Sequence, residues 1–86
     1  MEIQINPHAL ERAQQRGSNE EEIKDVIHRG FSIPGKSGRM GKAKIYSFRQ
    51  ERLGKYYEQK RVEVFYTIEE DMMITVTVYV FYGKWE

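Results

Sequence analysis

His8, Arg12 and Arg16 recur at a spacing of four residues. At the helical 100° per residue each step of four drifts by only about 40°, so the three side chains share one face of any helix that carries them. His8 falls in the first turn of such a helix, where the positive end of the dipole and two neighbouring guanidinium groups disfavour the imidazolium form. The expected state is the neutral ring that a general base requires. Arg12 and Arg16 supply donors suited to hold a phosphate or to stabilise charge developing on it. Proton abstraction beside a phosphate is the chemistry this trio fits; a solvated face on a small helix is the alternative.

A second group lies further along. Lys36, Arg39, Lys42, Lys44, Arg49, Arg52, Lys55, Lys60 and Arg61 are interleaved with Tyr46, Phe48, Tyr56 and Tyr57. The net charge of +1 conceals this concentration: residues 36–61 hold nine basic and two acidic side chains, against four and six before them and one and five after. Cations neutralise a phosphate backbone and exposed rings stack on unpaired bases, so this mixture suits RNA. Lysines that guard a strand edge against aggregation give a similar composition. Lys36, Arg39, Lys42, Lys44 and Arg49 are the candidate nucleic-acid contacts, and Tyr46 and Tyr79 are candidates to stack a base or donate a proton.

The elements that must position these residues can be read from punctuation and period. Asn6-Pro7 is a helix start, since Asn caps free amides and Pro needs none at the first helical position. Gly17 closes that helix. Ser18 and Glu21, three apart, match a capping box for a second helix, with Ile23, Val26 and Ile27 as its apolar face and Arg29-Gly30 as its end. Residues 7–29 thus read as a helical hairpin and 30–42 as a basic, glycine-rich link. From residue 43 to 85 the period changes to two, giving an antiparallel sheet of three to four strands turned at Gly54-Lys55 and at Glu69-Glu70-Asp71. In the last strand Ile74, Val76, Val78, Val80 and Tyr82 should face the helices. The expectation is a single α+β domain spanning 1–86.

Several classes are excluded. The chain of 86 residues has no cysteine and two histidines, which removes disulfide scaffolds, cysteine nucleophiles and thiolate zinc sites and leaves no pattern for a metal. No signal peptide is read at the N-terminus, and the apolar stretch Ile74–Tyr82 falls far short of the roughly 20 residues of a membrane span, so a cytoplasmic setting without membrane contact is expected. Gly30-Phe31-Ser32-Ile33-Pro34-Gly35-Lys36-Ser37 matches the phosphate-binding loop letter for letter, but it follows a helix rather than a buried strand and opens no helix. No nucleotide or other cofactor is expected.

His8-Ala9-Leu10-Glu11-Arg12 followed by Arg16-Gly17 and an acidic second helix resembles the bacterial domain-of-unknown-function family 4258, whose members open with His-Ala-x-x-Arg-x-x-x-Arg-Gly. The resemblance extends through the glycine-rich link to Ile74-Thr75-Val76-Thr77-Val78. That family is similar in layout to the RelE- and ParE-type toxins, helical hairpins on antiparallel sheets, many of which cut RNA without metal. The chain departs from the family at Ser18, where an apolar residue is usual, and from RelE-type enzymes in having few basic residues on its last strands.

The resemblance therefore implies a metal-independent, toxin-type endoribonuclease in which a 2′-hydroxyl attacks the adjacent phosphate. His8 would be the base, Arg12 and Arg16 the stabilisers of charge, the Lys42–Lys44 region the backbone grip, and Tyr46 or Tyr79 a stacking ring or proton donor. The alternative is a non-catalytic module of ParE-like inhibitory type that binds RNA or a protein such as an antitoxin.

Overall fold

The computed structural model describes residues 1–85. Its elements run β1 (Glu2–Ile5), α1 (Pro7–Gln15), α2 (Glu20–Arg29), β2 (Phe31–Ile33), β3 (Met40–Arg52), β4 (Lys55–Glu69) and β5 (Met72–Gly83). The architecture is α+β, with one five-stranded sheet in the order β1-β5-β4-β3-β2. All neighbouring strands are antiparallel except β1, which runs parallel to β5.

The expected sheet of three to four antiparallel strands is thus too small and too uniform. Ile3 and Ile5 alternate with Glu2 and Gln4, and both isoleucines pack against the core from a strand that precedes the helices. Phe31 to Ile33 pairs with Gly41 to Ala43, so the link expected over 30–42 contains a strand and contracts to residues 34–39. Nor do the helices form an N-terminal hairpin resting on antiparallel strands alone. α1 lies on β5, and α2 lies across β3 and β4. Each directs its own apolar residues at the sheet: Ala9 and Ala13 from α1, and Ile23, Val26 and Ile27 from α2. These meet Val62, Val64, Tyr66 and Val78 in the core.

The helix boundaries follow their caps. The Asn6 side chain accepts from the His8 amide at 2.8 Å, with Pro7 beginning the helix. At the other end Gly17 takes φ +97°. Its amide donates to the Gln14 carbonyl at 3.2 Å and that of Ser18 to Ala13 at 2.8 Å, the paired bonds of a Schellman motif. A Cβ on Gly17 would strike the Tyr82 hydroxyl, so glycine is required there twice over.

The cap of α2 lies one residue later than expected. Asn19, not Ser18, is the N-cap, and its side chain accepts from the Glu22 amide at 2.8 Å. Ser18 is buried and donates its hydroxyl to the Glu22 carboxylate at 2.8 Å. Lys60, buried on β4, completes the cluster by donating to both Glu22 oxygens, at 2.9 and 2.8 Å, and to the Gly17 carbonyl at 3.0 Å. All three ammonium protons are thereby matched, and the α1–α2 turn is fixed to the sheet.

One irregularity corrects the expected face of β5. Phe65 pairs with Thr77 but Tyr66 with Thr75, leaving Val76 as an extra, bulged residue. Beyond the bulge Val78, Val80 and Tyr82 face the helices as expected; before it Met73 and Thr75 do so, in place of Ile74 and Val76. Thr75 is fully buried, and its hydroxyl has no partner among the described residues. The face of the sheet away from the helices carries Phe31, Phe65, Thr77, Tyr79 and Phe81, with Phe31, Tyr79 and Phe81 exposed.

Candidate active site

β1 pairs with β5 only from Met72 to Thr75. Past Thr75 the outer edge of β5 has no neighbouring strand, and α1 covers it instead. Arg16 makes the junction. A guanidinium nitrogen donates to the Val78 carbonyl at 2.6 Å, while its own backbone carbonyl accepts from the Tyr82 hydroxyl at 2.6 Å. The last turn of α1 is therefore tied to β5 at two points, and an edge carbonyl that would face solvent is satisfied.

Between helix and edge lies a cleft of about 180 Å³, lined by His8, Arg12 and Arg16 on one side and by Thr77, Val78 and Tyr79 on the other. The spacing of four places the α1 residues there, because buried Ala9 and Ala13 orient the helix and leave the adjoining face along the strand edge. The Arg16 guanidinium also stands 5.4 Å from the centre of the Tyr79 ring, a cation–π distance. His8 and Arg12 are exposed, and Arg16 is half-buried.

A second cavity, of about 440 Å³, opens on the other side of Tyr79. It is lined by Pro34, Lys36, Ser37 and Arg39 from the link and by Phe65, Thr77 and Tyr79 from the sheet. The Arg39 amide donates to the Lys36 carbonyl at 3.1 Å across a turn whose central residues, Ser37 and Gly38, both have positive φ. That turn holds Lys36 and Arg39 close together. Gly41 admits the neighbouring ring, since a Cβ there would lie 2.9 Å from Phe65. Thr77 and Tyr79 line both spaces, so the face of α1 and the basic link meet at one strand segment.

Ion pairing sorts the cations. Lys24, Arg29, Lys44, Lys60 and Arg61 pair with Glu20, Asp25, Asp25, Glu22 and Glu63. Among the described residues no carboxylate lies within ion-pair reach of Arg12, Arg16, Lys36 or Arg39. The cations around Thr77 and Tyr79 thus belong to the unpaired set, as do, among the described residues, Lys42, Arg49, Arg52, Lys55 and Lys84 away from both spaces.

Tyr46 and Lys44 line neither space. The Tyr46 hydroxyl donates to Asp25 at 2.6 Å and Lys44 to the same oxygen at 2.5 Å, so both are engaged by α2 on the helix side of β3. These bonds hold the Asp25 carboxyl below its ordinary value, Lys44 first and Tyr46 second. Burial, then the bonded Asp25 carboxylate, pushes the Tyr46 phenol well up, making it a poor source of phenolate. Lys42 lines a separate hollow with Ile27 and Met73, and Arg49 is exposed at a bulge in β3. From sequence Thr77 and Phe81 read, with Thr75 and Tyr79, as a second face of the last strand suited to partial exposure or to a ligand, while Phe65 gains its place beside them only from the strand register. Phe65 and Phe81 alternate with core residues on β4 and β5, which is the available sign of a second occupied sheet face.

Among the described residues there is no group of three His, Cys, Asp or Glu side chains that could hold a metal ion, and no helix is long and apolar enough to cross a membrane. No curated protein and no solved structure matches the chain. The pattern of the domain of unknown function DUF4258 matches residues 5–80, from the strand before His8 to the strand that bears Tyr79. By that match over most of its length, the chain belongs to the DUF4258 family.

Proposed function

We propose that the chain is a metal-independent endoribonuclease acting at the cleft between α1 and β5. Four residues with the required chemistry, His8, Arg12, Arg16 and Tyr79, converge on that one cleft, and this convergence carries the reading. His8 removes the proton from an RNA 2′-hydroxyl; the oxygen attacks the adjacent phosphorus, and the bond to the 5′-oxygen breaks. Tyr79 donates a proton to the departing oxygen, and proton exchange with water restores both side chains. Arg12, with no carboxylate in ion-pair reach among the described residues, stabilises the extra charge on the phosphorane. Arg16 is committed to Val78 and acts chiefly by holding the helix and the Tyr79 ring in place.

The products are a 2′,3′-cyclic phosphate end and a 5′-hydroxyl end. Purified protein incubated with RNA in EDTA is expected to generate them. His8→Ala and Tyr79→Phe should each slow cleavage by roughly 10²–10⁴-fold, and Arg12→Ala by roughly 10²–10³-fold, with melting temperatures close to that of the parent because all three residues are exposed. Intact RNA at high protein concentration would overturn the enzyme reading, and salt-sensitive binding without cleavage would favour a binding module.

A further inference from the structure

The two helices cover one face of the sheet, and among the described residues no helix or strand covers the other. On that open face the Tyr79 and Phe81 rings are stacked, with centroids 6.3 Å apart and planes 30° apart. Phe65 meets Tyr79 edge-on at 5.9 Å. Tyr79 and Phe81 are 43% and 45% exposed, so two large aromatic side chains are held in order by one another and by Phe65, yet present nearly half their surface to solvent. Burying them would be favourable, and the fold leaves them out.

The rim is cationic. Lys36 and Arg39 project from the link over the cavity that Phe65, Thr77 and Tyr79 floor, and neither has a carboxylate within ion-pair reach among the described residues. An acid on the same face, Glu63, is held by Arg61 at 2.9 Å. Flat, ordered rings beside unpaired cations are what an unpaired nucleobase and its phosphates require, and a buried apolar protein interface would not call for two uncompensated charges at its margin.

From this we infer that the open sheet face is a binding site for single-stranded RNA, in which a base stacks on the Tyr79–Phe81 pair and the adjoining phosphates lie against Lys36 and Arg39. The site deepens the proposed function and rests on it for the choice of RNA. Because Tyr79 and Thr77 line both spaces, a strand held there passes directly into the cleft of His8 and Arg12. Duplex RNA is excluded, since its bases are stacked on one another and cannot reach the rings.

The test uses the full chain carrying His8→Ala, so that binding is read without cleavage. A short unstructured oligoribonucleotide with one 2-aminopurine is titrated, and both affinity and fluorescence quenching are recorded. Phe81→Ala should weaken binding roughly tenfold and remove most of the quenching, while Phe81→Trp retains both. Lys36→Ala with Arg39→Ala should lower the slope of log affinity against log salt by about 1.4, that is about 0.7 for each single-strand phosphate that the pair no longer neutralises. The same sequence as a blunt duplex should bind at least roughly tenfold more weakly.

Equal affinity for duplex and single strand, or an unchanged Phe81→Ala titration, would overturn the inference. So would a dimer that dissociates on Phe81→Ala and does not bind RNA, because the open face would then be covered by a second copy. Binding as described by a protein that never cleaves would uphold this site and remove the catalytic reading, so the two can fail separately.

Discussion

Asp25 lies between Lys44 and Tyr46 and accepts from both through one oxygen, while Arg29 stands 3.7 Å from the other. Its carboxyl is more acidic in the folded chain than its ordinary value of 3.8. A depressed carboxyl stabilises the fold above its unfolded value, and that contribution disappears as pH falls through the folded value. Asp25→Asn should therefore lower stability at neutral pH, and the difference from the parent should shrink as pH falls below 3.8 and on through the lower folded value, as read by urea melts at each pH. A difference independent of pH would assign the loss to packing instead. His8, Arg12 and Arg16 can be found from sequence because they share a helix face, a relation written within nine residues. Tyr46 and Lys44 cannot be placed that way, because their partner is on another element and nothing local distinguishes a lysine claimed by a distant aspartate from one left free. The same holds for Lys60, which reads as one more basic residue in a basic segment and is instead buried against Glu22.

The helices and the three long strands announce themselves through caps, period and turns, since each of those signals is local. β1 and β2 are four and three residues long. Such short strands exist only by pairing with a partner elsewhere along the chain, so neither is legible from its own residues. The β3–β4 turn shows what local chemistry leaves unoptimised. Leu53 and Gly54 both take positive φ, +54° and +82°, as a type I′ turn requires, and Leu53 is 95% exposed. A leucine is strained in that region and contributes no packing there, whereas asparagine tolerates the conformation. Leu53→Asn should raise stability by about 1 kcal/mol and the melting temperature by roughly 4–8 °C. A lower melting temperature would show that the leucine packs in solution in a way that offsets its strain.

Across the whole molecule, the helix layer, the sheet and the open aromatic face are held together by a sheet whose outer strand comes from the opposite end of the chain. Ile5 of β1 packs against the core, and its strand is paired with β5. Ile5→Ala should cost roughly 1–3 kcal/mol with no change in the slope of the denaturation curve, because all five strands unfold as one unit; a second transition would show that β1 detaches separately. The parallel pairing of Glu2–Ile5 with Met72–Thr75 has a further consequence, for the order in which the protein comes into being. On the ribosome β1 and α1 emerge well before β5, and for most of the time between they have nothing to pair with. β5, which supplies Thr77 and Tyr79, is the last element of the domain to appear. The cleft and the ordered aromatic face are therefore absent from every nascent chain that has not yet reached it, and whatever depends on either can begin only once β5 has paired.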